Sequence, residues 1–296
     1  MTTATDPAAR AAGLACWSGP VEPELITGGL TNTNFRVVDR GEPYFVRIGE
    51  DIPIHGVLRF NEVAAARAAE AAGLSPALIY SEPGVIVTRY VEGRTFAAED
   101  VRDPANLERI VPLIELCHHE IPKHVRGPVL MFWVFHVIRD YAASLRDGQS
   151  RCVPMLGDLL QRAETLEQAV GPIEVVFGHN DLLAANFIDD GRRLWLIDWD
   201  YAGFNSPLFD LGGLASNNEL SDEQETWLLE TYFKRPVDVD LRRRYRAMKC
   251  ASLLRESMWS MVSEIHSNLD VDYVAYTEEN LARFERAYAA FEGHGC

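Results

Sequence analysis

"GHNDLLAANF", residues 178–187, follows the hydrophobic run Val175-Val176-Phe177 and sets Asp181 five residues before Asn186. Asn and Asp favour turns and helix N-caps because their side chains hydrogen-bond nearby backbone, so a strand ending in a polar turn is one reading. A catalytic loop is the other, and the residues that follow bear on the choice. After Asn186 the chain runs "FIDDGRRLWLIDWDYAG". Phe187-Ile188 and Leu194 to Ile197 read as two short strands around the turn Asp189-Asp190-Gly191. A hairpin returns the chain to the end it left, which predicts Asp198 beside Asp181 and Asn186. Two carboxylates and an amide oxygen at one sheet edge are hard oxygen donors suited to Mg²⁺ carried on substrate phosphates. Phosphoryl transfer uses such a set: one aspartate accepts the proton of an attacking hydroxyl, while an Asn and a second Asp hold the metal.

Composition leaves room for this chemistry and excludes others. With 296 residues the chain is long enough for one large domain or two modest ones. The balance of 28 Lys and Arg against 44 Asp and Glu gives −16, a poor match for a nucleic-acid backbone. That field would instead draw in a small cation. No apolar run approaches the 18 or more residues of a membrane span, and the N-terminus lacks the pattern of a signal peptide. Its first residues read as a loose tail. The five scattered cysteines form no disulfide or metal pattern, so a reduced, cytoplasmic setting is expected. No GxxxxGK[ST] motif occurs, which argues against a P-loop enzyme.

Strands come first. "ELITGGLTNTNFRVVDRGEPYFVRI" gives two extended runs around Gly28-Gly29 and a third after the turn at 39–43. "RFNEVAAARAAEAAGL" predicts a helix with Asn61 near its start and Gly73 as its stop. Two strands follow around Glu82-Pro83-Gly84. Beyond residue 91 the pattern turns helical: "DPANLERIVPLIELCHHEI", with Asp103 as N-cap and Pro104 first, then "MFWVFHVIRDYAASLRD" and "MLGDLLQRAETLEQAVG". The β unit at 174–200 interrupts, and helix resumes to 292. The expected fold is α+β in two lobes. An antiparallel sheet with a helix fills 1–91, and a largely helical lobe carrying the small hairpin fills 92–296.

The first lobe offers its own candidates. In "TGGLTNTNF", residues 27–35, the glycines let backbone N–H groups approach phosphate, although a plain glycine hairpin looks the same. Gly28, Gly29, Thr31 and Asn32 are the residues of that turn assigned to nucleotide. Arg47 sits in the apolar strand "YFVRIG" and Glu62 in the next helix; they either pair across a cleft, as a strand Lys and helix Glu do in protein kinases, or face water separately.

Five blocks, "GGLTNTNFRV", "FVRI", "HNDLLAANF", "IDWDYAG" and "PLFDLG", resemble in order those of the choline/ethanolamine kinase branch of the aminoglycoside phosphotransferase superfamily. The likeness covers nearly the whole chain and implies a protein-kinase-like fold with ATP between the lobes. It implies Asp181 as catalytic base, with His179 orienting its loop, and Asp210 of "FDLG" tying that loop down. It further implies Asn186 and Asp198 as Mg²⁺ ligands, Arg47 on phosphates with Glu62 orienting it, and Thr88, Arg89, Tyr90 and Val91 as the adenine-reading hinge. The run from Asp198 has neither DFG nor an APE-type close, unlike a protein kinase. A pseudokinase would lack the base or a metal ligand, and this chain keeps all three.

The acceptor is read from "KCASLLRESMWSMVSEIHSN". Leu253, Leu254, Ser257, Met261 and Ile265 make a helical apolar stripe. At 100° per residue Trp259 shares the other face with Ser252, Arg255, Glu256, Ser263 and His266. It is either a surface ring covering the next helix or a pocket wall. Quaternary ammonium ions are held against aromatic faces, and Tyr201 with Tyr273 or Tyr276 would complete such a cage. "MWSMVSEI" resembles the family's tryptophan-bearing segment, but Glu256 stands where the family usually has a second Trp. Asn217 stands where eukaryotic relatives tend to have an acid. The extra carboxylate at Glu256 suits an ammonium with N–H donors, while Asn217 leaves the acceptor more open. The expected acceptor is therefore choline or a related amino alcohol such as ethanolamine, bound by Asp181, Asp200, Tyr201, Asn217, Glu256, Trp259 and Tyr273 or Tyr276. Thiamine, aminopropanol and aminoglycosides are the alternatives, and the oligomeric state is open between monomer and homodimer.

Overall fold

The computed structural model describes residues 6–26, 32–267 and 269–293. The first strands form an antiparallel sheet in the order β1-β2-β3-β5-β4, with β1 Glu24–Ile26, β2 Thr33–Asp39, β3 Glu42–Ile48, β4 Leu78–Glu82 and β5 Val85–Arg89. Val37, Val46, Val85 and Val87 on one face bury with Phe35 and Ile48, the alternation a half-covered sheet requires. Helix α1, Pro7–Ala12, capped by Asp6 Oδ1, covers that face through Ala11, with Leu14 just after it. The first few residues, expected as a loose tail, lie outside the described residues.

Helix α2, Arg59–Ala71, presents Ala65, Ala66, Ala68 and Ala69 inward, and small side chains allow close packing. Asn61 caps nothing. Fully buried, it donates to the Ala202 carbonyl at 2.8 Å and accepts from Leu130 N–H at 2.9 Å, tying α2 to the second half of the chain. Gly73 ends the helix region at φ +76°.

The remainder is mainly helical: α3 Ala98–Arg102, α4 Pro104–His119, α5 Ile121–His124, α6 Val134–Asp147, α7 Leu156–Val170, α8 Pro207–Asn218, α9 Asp222–Phe233, α10 Val239–His266 and α11 Tyr273–Gly293. Asp103 Oδ1 accepts from Ala105 N–H at 2.9 Å, capping α4 with Pro104 at its first position. The hairpin forms as β8 Phe187–Asp189 and β9 Leu194–Leu196, with a third partner, β6 Arg94–Thr95, that the pattern did not reveal. Strand β7, Val176–Gly178, pairs instead with β10, Gly203–Asn205. Strands as short as β6 and β10, with no turn signal joining them to their partners, carry too little pattern to be read from sequence.

Helix α10 departs most from its reading. It packs on α6, α7, α8 and α11 and is buried on nearly every side from Ala247 to Ser263, whereas Ile265 of the expected stripe is exposed. The polar face holding Ser252, Arg255 and Trp259 is a seam inside the molecule. No described helix is long and apolar enough to cross a membrane. The described cysteines are free.

Candidate active site

The loop after β7 is held by groups far away in sequence. Asp210, in the first turn of α8, accepts from the backbone N–H of His179 at 2.8 Å and of Asn180 at 2.7 Å. His118 from α4 adds a third bond to Asp210 at 3.0 Å and is itself bonded to the Tyr232 hydroxyl at 2.7 Å. Burial would raise the Asp210 carboxyl, but the bond from His118 and the nearby imidazoles hold it below its ordinary value. Asn180 takes φ +65°, and a Cβ on Gly178 would lie 2.6 Å from its Oδ1, so this position needs glycine. His179 is wholly buried, donates from Nε2 to the Ile197 carbonyl at 2.9 Å and packs on Trp199. Burial lowers its pKa, leaving it neutral. Its place is structural, under the loop, out of an acceptor's reach.

Asn186 donates from Nδ2 to the Asp181 carbonyl at 2.8 Å, and Ile197 N–H donates to the Asn186 carbonyl at 3.0 Å. The hairpin thus brings the strand before Asp198 against the end of the Asp181 loop. Asp198 itself sits at φ +67°, a strained conformation for a non-glycine residue. Desolvation pushes the Asp181 carboxyl up to about 8; Arg255 opposes this, while Asp198, Glu256 and Asp200 add to it. A carboxyl poised near neutrality is suited to proton transfer. Asp198 and Asn186 fit a hard cation: the Asn186 amide nitrogen is spent on Asp181, leaving its oxygen as the coordinating end, and Asp198 is held ionised.

Arg47 is the hub between the lobes. It donates to Glu62 at 2.8 Å, to Asp200 at 3.0 Å, and from both terminal nitrogens to Asp198 at 2.9 Å. Arg59, which nothing in the sequence singled out, joins Glu62 at 2.6 Å, Asp200 at 2.8 Å and Asn32 at 2.7 Å. Burial pushes the Glu62 carboxyl up, with Arg47 pulling against it. Asp200 therefore lies in this ion network rather than with the acceptor residues. Its Oδ1 is taken by two guanidiniums and its Oδ2 accepts from Asn32 at 3.2 Å. A buried carboxylate already accepting from two arginines and an amide has little acceptor capacity left for a substrate ammonium.

Beside Arg47 lies a cleft of about 210 Å³ walled by Phe45, Ala66, Ile86, Thr88, Val91 and Ile188. Its apolar walls suit a flat aromatic base. Arg89 and Tyr90 border it too, with the Arg89 guanidinium engaged by Glu42 at 2.8 Å and the Tyr44 ring. Gly28, Gly29 and Thr31 lie outside the described residues.

On the other side of Asp181, α10 supplies the expected aromatic and acidic groups. Trp259 is only 7% exposed, donates from Nε1 to the Tyr201 hydroxyl at 3.0 Å, and meets Tyr273 and Tyr276 edge-on at 6.1 and 6.4 Å. It is a pocket wall and not a surface ring. A cavity of about 180 Å³ between Trp259, His55, Tyr273 and His266 opens on one side of it. Burial lowers His55 to about 3, so it is a neutral wall bonded to Tyr141 and Ser263. Glu256 accepts from the Tyr276 hydroxyl at 2.9 Å and from Arg255 at 2.8 Å. A second, small polar cavity joins Asn217, Glu256 and Arg255 to Asp181. His118, Arg59, His55 and Arg255 were missed because a lone His or Arg ordinarily reads as a surface or core residue.

Comparison with known proteins identifies the family. A family model described as choline/ethanolamine kinase matches residues 24–227. The Protein LicA of Haemophilus influenzae is 27% identical over 277 residues, covering 90% of this chain and 78% of that protein. Ethanolamine kinase 2 of Mus musculus is 28% identical over 247 residues, covering 74% of this chain and 63% of its own. Among solved structures, a choline/ethanolamine kinase family protein from Mesorhizobium loti superposes with a TM-score of 0.78 at 30% identity, covering 97% of this chain and 95% of that one. The chain belongs to the choline/ethanolamine kinase family, phosphotransferases that act on an alcohol group.

Proposed function

We propose that the protein transfers the terminal phosphate of ATP to the hydroxyl of a small amino alcohol, choline or ethanolamine, with Mg²⁺ as cofactor. The observation that carries this reading is the tie of Asn186 to the Asp181 carbonyl and to the residue before Asp198, with Asp198 and Arg47 lining the apolar cleft.

Asp181 accepts the proton of the acceptor hydroxyl as its oxygen attacks phosphorus in line. Asn186 and Asp198 would hold Mg²⁺, which when bound supplies charge neutralisation on the phosphates. Arg47, oriented by Glu62, draws phosphate oxygens to the floor of the cleft, and the backbone of 88–91 reads the base. Trp259 and Tyr276 face the amine, and Glu256 accepts its N–H donors. A trimethylammonium has none to offer, so Glu256 favours ethanolamine over choline. In this reading residues 1–91 form the nucleotide lobe and 92–296 the acceptor lobe of a cytoplasmic enzyme. ADP release measured with ethanolamine, choline, aminopropanol and thiamine tests it. Turnover with an amino alcohol supports the reading, and ATP hydrolysis unaffected by all four sinks it.

A further inference from the structure

The loop between β3 and α2, residues 49–58, leaves the sheet just after Arg47 and rejoins the ion network at Arg59. Both of its ends are tied. Gly49 N–H donates to the Gly84 carbonyl at 3.0 Å, while Arg59 donates from Nε to the Glu50 carbonyl at 3.0 Å and from its backbone N–H to Asp51 Oδ1 at 2.7 Å. Further out, Ile52 and Val57 exchange two backbone bonds of 2.8 and 3.2 Å, and Gly56 turns the chain at φ +71°. A loop fastened at base and neck presents its tip in one place. That tip is His55, and it leaves its own part of the chain.

His55 is 7% exposed, with Nδ1 and Nε2 each 3.3 Å from a hydroxyl, that of Tyr141 on α6 and that of Ser263 on α10. A neutral imidazole has one donor and one acceptor, and two hydroxyls answer either tautomer. Its ring lies over Trp259 with centroids 5.0 Å apart and planes 30° apart, within the range of offset stacking. The other rings against Trp259, those of Tyr201, Tyr273 and Tyr276, all come from the far half of the sequence. An indole face covered by a ring is closed to an ammonium, so the amine meets Trp259 on the surface that His55 leaves open. Burial keeps the imidazole uncharged, which sets no positive charge against a cationic acceptor. We infer that His55 is a positioning residue of the acceptor site, its ring seating Trp259 so that the sheet-bearing part of the chain helps to build the amine wall. This rests on the amino-alcohol kinase reading above and deepens it: one loop, flanked by Arg47 and Arg59 on the phosphate side, also serves the acceptor.

The test separates the ring from its hydrogen bonds. Steady-state rates with ethanolamine and choline, and melting temperatures, are measured for wild type, His55→Phe, His55→Gln and His55→Ala. Phenylalanine keeps a stacked ring but strands two hydroxyls, so His55→Phe should melt lower than wild type yet hold the acceptor KM within about threefold. Glutamine keeps polar partners but no ring. His55→Gln should melt closer to wild type yet raise the acceptor KM about tenfold, the scale of one lost aromatic pair. His55→Ala should raise it at least as far, and KM for ATP should stay within about twofold in all three. An acceptor KM that simply follows the melting temperature, or that stays at the wild-type value without the ring, overturns the inference and leaves the kinase reading standing. A KM for ATP that rises in parallel makes His55 a general strut and overturns it as well. Failure of the wild type to phosphorylate either amine overturns the kinase reading and this inference with it.

Discussion

Arg47 grips Asp198 with both ends of its fork, Nη1 to Oδ1 and Nη2 to Oδ2 at 2.9 Å each, joining the first sheet to the hairpin that carries the candidate metal ligand. The same guanidinium is shared with Glu62 and Asp200. One residue thus sets the distance between the two halves of the site and holds Asp198 ionised despite its burial.

Arg47→Lys keeps the charge but cannot make this fork. It should raise KM for ATP and cut kcat/KM about 100-fold, on the scale of losing one or two charge-assisted bonds. Removal of the charge in Arg47→Met strands three carboxylates and should cost about 3–5 kcal/mol of stability by denaturant unfolding. A variant with wild-type ATP kinetics in the lysine form would show that Arg47 is only a strut.

Asp181 has opposite effects on activity and stability. Its folded pKa of about 8 lies above the ordinary carboxylate value, so the native state prefers it protonated. The stability it contributes is complete below pH about 4 and is lost as the pH rises through 8. Asp181→Asn cannot ionise and escapes that loss. The variant should therefore melt higher than wild type by about 2–4 °C at pH 9, with a smaller gap at pH 5. Its kcat should fall about 1,000-fold.

The same shift sets the rate profile. For the wild type, kcat/KM for the acceptor should climb with pH toward a limb near 8. Arg255→Met withdraws the cation that opposes the shift, so its limb should move to higher pH. A limb in the ordinary carboxylate range for both proteins would mean that Asp181 is not the titrating group.

Asp210→Asn keeps the shape but gives up one of the oxygens that receive the His179 and Asn180 backbone N–H groups. We expect kcat to fall about 10- to 100-fold with KM for both substrates little changed, since the loop and not the binding walls is loosened. A KM effect without a kcat effect would place Asp210 elsewhere in the cycle.

Much of the site could be read in the chain before folding was considered. The spacing of Asp181 and Asn186 and the turn at Asp189-Asp190-Gly191 oblige the hairpin to return near its start, because a short antiparallel pair has no other exit. The Arg47–Glu62 pair was open between two readings, since a strand residue and a helix residue meet only if both face inward. What stayed hidden depends on long-range packing. His118 reaches Asp210 from 92 residues away, and Arg59 meets Asp200 across 141. Neither has a local signature. Trp259 was open between a surface ring and a pocket wall, and the packing of α10 against α8 and α11 buries it. Asp200 was placed with the acceptor residues, but it meets the arginines while its neighbour Tyr201 meets Trp259.

The central claim is that Asp181 drives phosphoryl transfer to an acceptor hydroxyl on this chain. Phosphorus NMR of wild type and Asp181→Asn, each incubated with Mg-ATP and the panel of hydroxylated amines, tests it directly. The account predicts ADP and a new phosphomonoester resonance in equal amounts with the wild type, and neither with Asp181→Asn at matched folding. Inorganic phosphate in place of the ester, or an ester signal that survives the substitution, would contradict it.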